Sequence, residues 1–182
     1  PFPEEIEAAG ALTGWQDVEL TPLAEGARVF LKRRGMALDL GGIAKGFAAD
    51  ELASLFRSAG AERALINLGG NVYVLGAKAD GSAWRIGIQN PLEPELGAAL
   101  SLSVRGSAAV VTSGTYERFF EQDGERYHHI IDPPTGRPAD GGFESATIVA
   151  PSSLYADALS TAAFVLGSDA FWAAFAVPAM FI

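Results

Sequence analysis

Strand-length apolar runs separated by tight turns recur along most of this chain, and they constrain its fold more than any other feature. Asn71–Gly76 and Ala83–Ile88 read as strands, with Asp80-Gly81 between them as the expected turn. Tyr116–Glu121 and Arg126–Ile131 flank Gln122-Asp123-Gly124-Glu125, and an Asp-Gly tip tolerates the positive φ that a two-residue hairpin needs. Asp17–Leu20, Arg28–Lys32, Arg63–Leu68, Leu100–Val104, Ala108–Thr112, Ser145–Val149 and Ala179–Ile182 read as further strands. Links this short join antiparallel neighbours, because a parallel pair needs a crossover of about a dozen residues or more. Helical spacing is rarer. It covers Pro3–Leu12, Ile43–Ala59, Leu154–Val165 and a short piece at Asp169–Phe175. In Ile43–Ala59 the apolar stripe is Ala48, Leu52, Leu55, Phe56 and Ala59, with Gly60 as the stop. The expected class is α+β, a mostly antiparallel sheet with a few packed helices, in one domain over residues 1–182.

Composition narrows the function. With 49% hydrophobic residues the chain can bury a core and is not disordered. A net charge of −9 with only 13 Lys+Arg excludes a nucleic-acid surface. An acidic protein that holds a phosphorylated ligand needs a local device: a cation, a helix end or a placed lysine. The absence of cysteine excludes disulfides, thiolate catalysis and Cys-ligated zinc. No apolar run reaches the ~18 residues of a membrane span.

Such a device is visible between Asp39 and Asp50. A strand-like approach (Met36, Ala37, Leu38) ends at Gly41-Gly42, Lys45 follows, and a helical run begins. Glycine lets backbone N–H groups approach a ligand, and a helix N-terminus is partly positive, so a lysine there makes a place for phosphate. The spacing matches neither G-x-x-x-x-G-K-[ST] nor G-x-G-x-x-G, and a turn with a surface lysine fits it equally well.

Asp157 and Thr161 stand four residues apart on one helix face, flanked by Ser160. Hard oxygens on an otherwise apolar helix suit Mg²⁺. They also suit an ordinary helix start, with Asp157 favoured by the dipole and the hydroxyls bonding back to carbonyls. Both histidines of the chain, His128 and His129, are neighbours on a strand, so they point to opposite faces and only one can serve a given site. Thr112-Ser113-Gly114-Thr115-Tyr116 offers hydroxyls at a strand end and is equally good turn chemistry, and the lack of G-x-S-x-G around Ser113 argues against a serine hydrolase. Asn67-Leu68-Gly69-Gly70-Asn71 reads as a turn that could also line a ligand.

Five blocks, taken in order, resemble the ApbE family of FAD:protein FMN transferases. They are Asp39–Asp50, Leu65–Asn71, Thr112–Phe120, His128–Gly136 and Ala156–Thr161, and together they span most of the chain. The resemblance implies an ApbE-like, T-fold-related domain. It implies Mg²⁺-dependent transfer of FMN from FAD to a threonine hydroxyl of an acceptor flavoprotein subunit of a redox complex, releasing AMP. By position, the Gly42 carbonyl, Asp157 and Thr161 would hold Mg²⁺ with Ser160 beside them. Asp39, Lys45 and Ile131 would contact FAD, and His129 would act at the reacting phosphate. An FAD pyrophosphatase giving FMN and AMP, or a non-catalytic flavin- or metal-binding fragment, fits the same blocks. The resemblance also implies a preceding region of roughly a hundred residues that holds the flavin ring, and a longer C-terminus. It implies a periplasmic or cell-envelope setting, with any membrane anchor ahead of Pro1, while the residues themselves equally allow the cytoplasm. Thr115 departs from an aspartate common in the family.

Overall fold

The computed structural model describes residues 2–182. Its centre is a five-stranded antiparallel sheet built from β3 (Ala64–Asn67), β4 (Asn71–Leu75), β7 (Ala108–Gly114), β12 (Ser145–Ala150) and β13 (Ala179–Phe181), in the order β13-β12-β7-β4-β3. Side chains alternate across a strand, and the two faces are covered differently. Tyr73, Leu75, Ala109, Val111, Ala146, Ile148 and Ala150 pack with α2 (Ala44–Ser58), α3 (Ser153–Leu166) and α4 (Ser168–Ala174). Val74 and Val110 point the other way, onto Ile86 and Ile88 of the hairpin β5 (Trp84–Gln89) and β6 (Ala98–Val104). The result is three layers: helices, sheet, hairpin. Phe164 of α3 and Phe171 of α4 are almost fully buried, and each such side chain contributes about 1.5–3 kcal/mol of transfer free energy.

The remaining elements surround this sandwich. α1 (Pro3–Gly10) precedes the hairpin β1 (Val18–Pro22) and β2 (Ala27–Leu31). The hairpin β8 (Phe119–Gln122) and β9 (Glu125–His128) turns at Asp123-Gly124, both with positive φ, as the Asp-Gly pair required. β10 (Ile131–Asp132) and β11 (Arg137–Pro138) form a short antiparallel pair closed by the Pro133–Gly136 turn. No helix among the described residues is long and apolar enough to cross a membrane.

The architecture is the α+β class expected, with differences in detail. Asp80-Gly81 does turn the chain, and Ser82 N–H donates to Asp80 Oδ1 at 2.9 Å. It joins two layers, though, because β5 pairs with β6 and β4 with β3 and β7. α1 ends at Gly10 rather than Leu12. The run Arg126–Ile131 is not one strand: Ile130 buries its side chain and turns its N–H onto His128 Nδ1 at 3.3 Å, which breaks the ladder. The buried face of α2 is Gly46, Ala49 and Ala53, with Leu52 and Phe56 at its margin, while Leu55 is 60% exposed. α3 crosses so close to α2 that only small residues fit between them.

Candidate functional site

The approach of α2 to α3 builds the site. A Cβ placed on Gly46 would stand 2.5 Å from the Ser153 carbonyl oxygen and 2.8 Å from Asp157 Cβ. A Cβ on Gly42 would stand 3.5 Å from Thr161 Oγ1. Gly42 therefore lies opposite Thr161, and Gly46 opposite Asp157, one helical turn further on. The first N–H groups of a helix have no partner inside it. That of Gly46, the third residue of α2, donates to Asp157 Oδ2 at 2.8 Å.

Asp157 is 3% exposed. Burial pushes its carboxyl above the ordinary carboxylate value, while the Gly46 N–H, the Lys45 charge and the Asn71 amide pull it back. Lys45 reaches across to the β3–β4 turn, where its Nζ donates to the Gly69 carbonyl at 3.1 Å. Gly69 and Gly70 both have positive φ and close the turn with Leu68 N–H on the Asn71 carbonyl at 2.9 Å. Asp39 shapes the loop before α2: its Oδ1 accepts from Gly41 N–H at 2.6 Å.

Ser160 is buried and its hydroxyl is engaged. It donates to the Asp157 carbonyl at 2.9 Å and pairs with Ser113 Oγ of β7 at 2.8 Å. Thr161 Oγ1 makes only a long 3.4 Å bond to the same carbonyl. The structure thus brings Gly42, Lys45, Asp157, Ser160 and Thr161 together, with Asp39 at the loop that carries Gly42. Asp157 and Thr161 turn toward the glycine loop, and Ser160 toward the sheet.

His129 and Ile131 come from another part of the chain, at the end of β9 and in β10. No hydrogen bond or ion pair among the described residues joins them to Lys45 or Asp157. The two histidines do face opposite ways. His128 Nε2 donates to the Ala139 carbonyl at 3.1 Å, its Nδ1 accepts from Ile130 N–H, and its ring lies 6.3 Å from that of Phe164. Burial lowers its pKa, and both nitrogens are used as in a neutral structural imidazole. His129 is exposed, and its Nδ1 sits 3.1 Å from the Arg118 carbonyl. A carbonyl only accepts, so Nδ1 carries a hydrogen in this contact. Ile131 is half-exposed and lines a cleft of about 540 Å³ with Ile6, Phe120, Tyr127 and Pro138. Thr115 is buried, where its hydroxyl bonds the Glu144 carboxylate.

A family model described as the ApbE family matches residues 1–180. The chain belongs to this family. Its relatives include the FAD:protein FMN transferase of Treponema pallidum, 46% identical over 180 residues, covering 93% of this chain and 49% of the relative. That of Klebsiella pneumoniae is 45% identical over 169 residues, covering 93% and 51%. Among solved structures, an ApbE protein from Thermotoga maritima superposes with a TM-score of 0.82 at 41% identity, covering 91% of this chain and 52% of that one. The flavinyl transferase ApbE of Pseudomonas stutzeri gives 0.79 at 35% identity, covering 100% and 55%. The chain spans about half the length of the curated relatives it matches.

Sequence reasoning singled out none of Gly46, Asp50 and Ser153, and gave Asn71 only as the join between a turn and the strand that follows it. Asn71 does open β4, fully buried, with Oδ1 accepting from Ser153 Oγ at 2.6 Å and Nδ2 without a hydrogen-bond partner among the described residues. The four-residue spacing Gly42, Gly46, Asp50 was the available signal.

Proposed function

We propose that this chain carries the pyrophosphate and metal end of an FAD:protein FMN transferase. The observation that carries the reading is a buried carboxylate, Asp157, held between Lys45, the Gly46 N–H and the Thr161–Gly42 contact. A lone buried carboxylate is costly unless something compensates its charge. The donors around it are all hard oxygens, the set Mg²⁺ prefers, and few enough to leave positions for water and phosphate. The Gly42 carbonyl, Asp157 and Thr161 would hold the cation, with Ser160 fixing the Asp157 backbone. A bound Mg²⁺ would neutralise pyrophosphate charge and the charge developing on the departing AMP.

The chain's own residues supply the rest. Lys45 exchanges its Gly69 bond for a phosphate oxygen. Asp39 keeps the loop open by bonding Gly41, and Ile131 offers an apolar wall for FAD. His129 Nε2 takes the proton of the acceptor threonine hydroxyl as its oxygen bonds to the FMN phosphorus and the bond to the AMP oxygen breaks. The partners are FAD and an acceptor flavoprotein subunit.

The test is incubation with FAD, Mg²⁺ and an acceptor domain carrying the target threonine, using this chain and a protein of the relatives' length containing it. An acceptor band that fluoresces after denaturation, with one AMP released per adduct, is expected from the longer protein. AMP with free FMN and no adduct would replace transfer by hydrolysis. No AMP at all from the longer protein would reject the reading.

A further inference from the structure

Two helices in this fold satisfy each other's open ends. The N–H groups of Ser153 and Leu154, at the start of α3, have no partner within α3. They donate to Asp50 of α2, Ser153 to Oδ1 at 2.8 Å and Leu154 to Oδ2 at 3.0 Å, and Ser152 Oγ donates to the same Oδ2 at 2.8 Å. The reverse bond runs from Gly46 of α2 to Asp157 of α3. Gly42, Gly46 and Asp50, spaced by four, thus lie opposite Thr161, Asp157 and Ser153, and the two segments run antiparallel.

α3 does not need Asp50 merely to begin. Ser152 is its own N-cap, accepting from Tyr155 N–H at 3.2 Å. What Asp50 adds is a polar tie between helices. Apart from Gly46 to Asp157, its bonds are the only hydrogen bonds joining α2 to the start of α3 among the described residues. The rest of the contact is apolar and non-directional. Sliding α3 along α2 by one residue, about 1.5 Å, would take Asp157 off the Gly46 N–H and Thr161 off Gly42.

We propose that Asp50 is a positioning residue: it sets the register of α3 on α2 and so places Asp157 and Thr161 against the glycine loop. Both Asp50 oxygens are taken up by Ser152, Ser153 and Leu154, so its action runs through α3. This inference rests on the metal and pyrophosphate reading above only for its functional consequence. The register itself is a property of the apo chain.

The test uses the whole chain with Asp50→Ala, Asp50→Asn and Ser152→Ala, which removes the N-cap and one of the three donors to Asp50 but keeps the Ser153 and Leu154 N–H bonds. Two quantities are read: exchange of the Gly46 amide hydrogen relative to that of Ala53 in the same helix, and calorimetric affinity for Mg²⁺ alone. Asp50→Ala is expected to speed Gly46 exchange relative to Ala53 by about tenfold and to weaken Mg²⁺ by a similar factor. Asp50→Asn keeps one acceptor oxygen for the Ser153 N–H and is expected to fall between. Ser152→Ala lowers the melting temperature while both readouts stay within about twofold of the parent. If Asp50→Ala lowers the melting temperature but leaves the Gly46 to Ala53 ratio unchanged, the positioning role is refuted. Should Asp50→Ala not fold, Asp50→Asn decides by the same ratio. A parent chain that binds no Mg²⁺ rejects the metal reading, and the exchange ratio still decides the role of Asp50.

Discussion

Asp157 concentrates the conflict between stability and function in one side chain. It is buried, and burial raises its pKa more than the Gly46 N–H, Lys45 and Asn71 lower it. A carboxyl with a raised folded pKa holds its proton more tightly folded than unfolded. Its favourable contribution is complete below the ordinary value of 3.8 and is lost as pH rises through the folded value. Asp157→Asn cannot ionise, so it is expected to gain stability relative to the parent as pH rises from about 4 to about 7. Mg²⁺ reverses the comparison. At a hundred times its dissociation constant a bound ion stabilises the parent by about 2.7 kcal/mol and leaves the Asn variant unmoved. Urea denaturation over a pH series, with and without Mg²⁺, checks both parts. A difference independent of pH would show that burial does not govern this carboxyl, and equal Mg²⁺ stabilisation of the two proteins would remove Asp157 from the site.

At the scale of elements, the contact between α2 and α3 decides how far the two halves of the site stand apart. Gly46→Ala drives a methyl to 2.5 Å from the Ser153 carbonyl oxygen and 2.7 Å from Leu154 Cα, both backbone atoms of the opposing helix. Overpacking of this kind costs about 1–3 kcal/mol, and here it also parts Gly46 N–H from Asp157. Gly10→Ala, with open space around it and φ in the ordinary range, is the matched control, expected within about 0.5 kcal/mol of the parent. Equal denaturation midpoints for the two variants would mean the helices yield without cost. The same contact shows what the sequence disclosed and what it hid. The β8–β9 hairpin was legible because Asp123-Gly124 carries its backbone requirement in two residues, and the opposed faces of His128 and His129 followed from strand geometry. The inner face of α2 was misread because periodicity gives weight to large apolar residues. Leu55 belongs to that stripe yet faces solvent, since a close helix crossing selects glycine and alanine. Asp157, Ser160 and Thr161 were visible as a pattern on one helix. That Asp157 bonds Gly46, and Asp50 bonds Ser153, depends on residues about a hundred positions apart, and no local pattern reports it.

Across the whole molecule, burial is unevenly distributed. Gly46 is the first buried residue among those described, so α1, β1 and β2 contribute none to either core. Trp15 is 80% exposed, and Leu20, Val29 and Phe30 of the β1–β2 hairpin are exposed as well. An isolated two-stranded hairpin is marginally stable in water. The polar ties here include the Arg33–Asp17 ion pair at 2.9 Å, the exposed Lys32–Glu19 pair at 3.3 Å and the Arg33 bonds to the Ala11 and Thr13 carbonyls. Segments with few buried contacts open at low free-energy cost, whereas the five-stranded sheet opens only near the global unfolding free energy. Limited digestion with a protease that cuts after aromatic and leucine residues is therefore expected to cleave first between Trp15 and Leu40. The part from Gly42 onward, with the sheet, α2 and α3, should persist. Mg²⁺ binds between the glycine loop and α3 in the proposed site, so it should slow the later cuts and leave the first unchanged. Mass spectrometry of a timed digest reads both stages. Early cuts within β4 or β7 would show that the sheet is not the stable unit, and Mg²⁺ protection of the first cut would place the ion against the β1–β2 segment instead of α3.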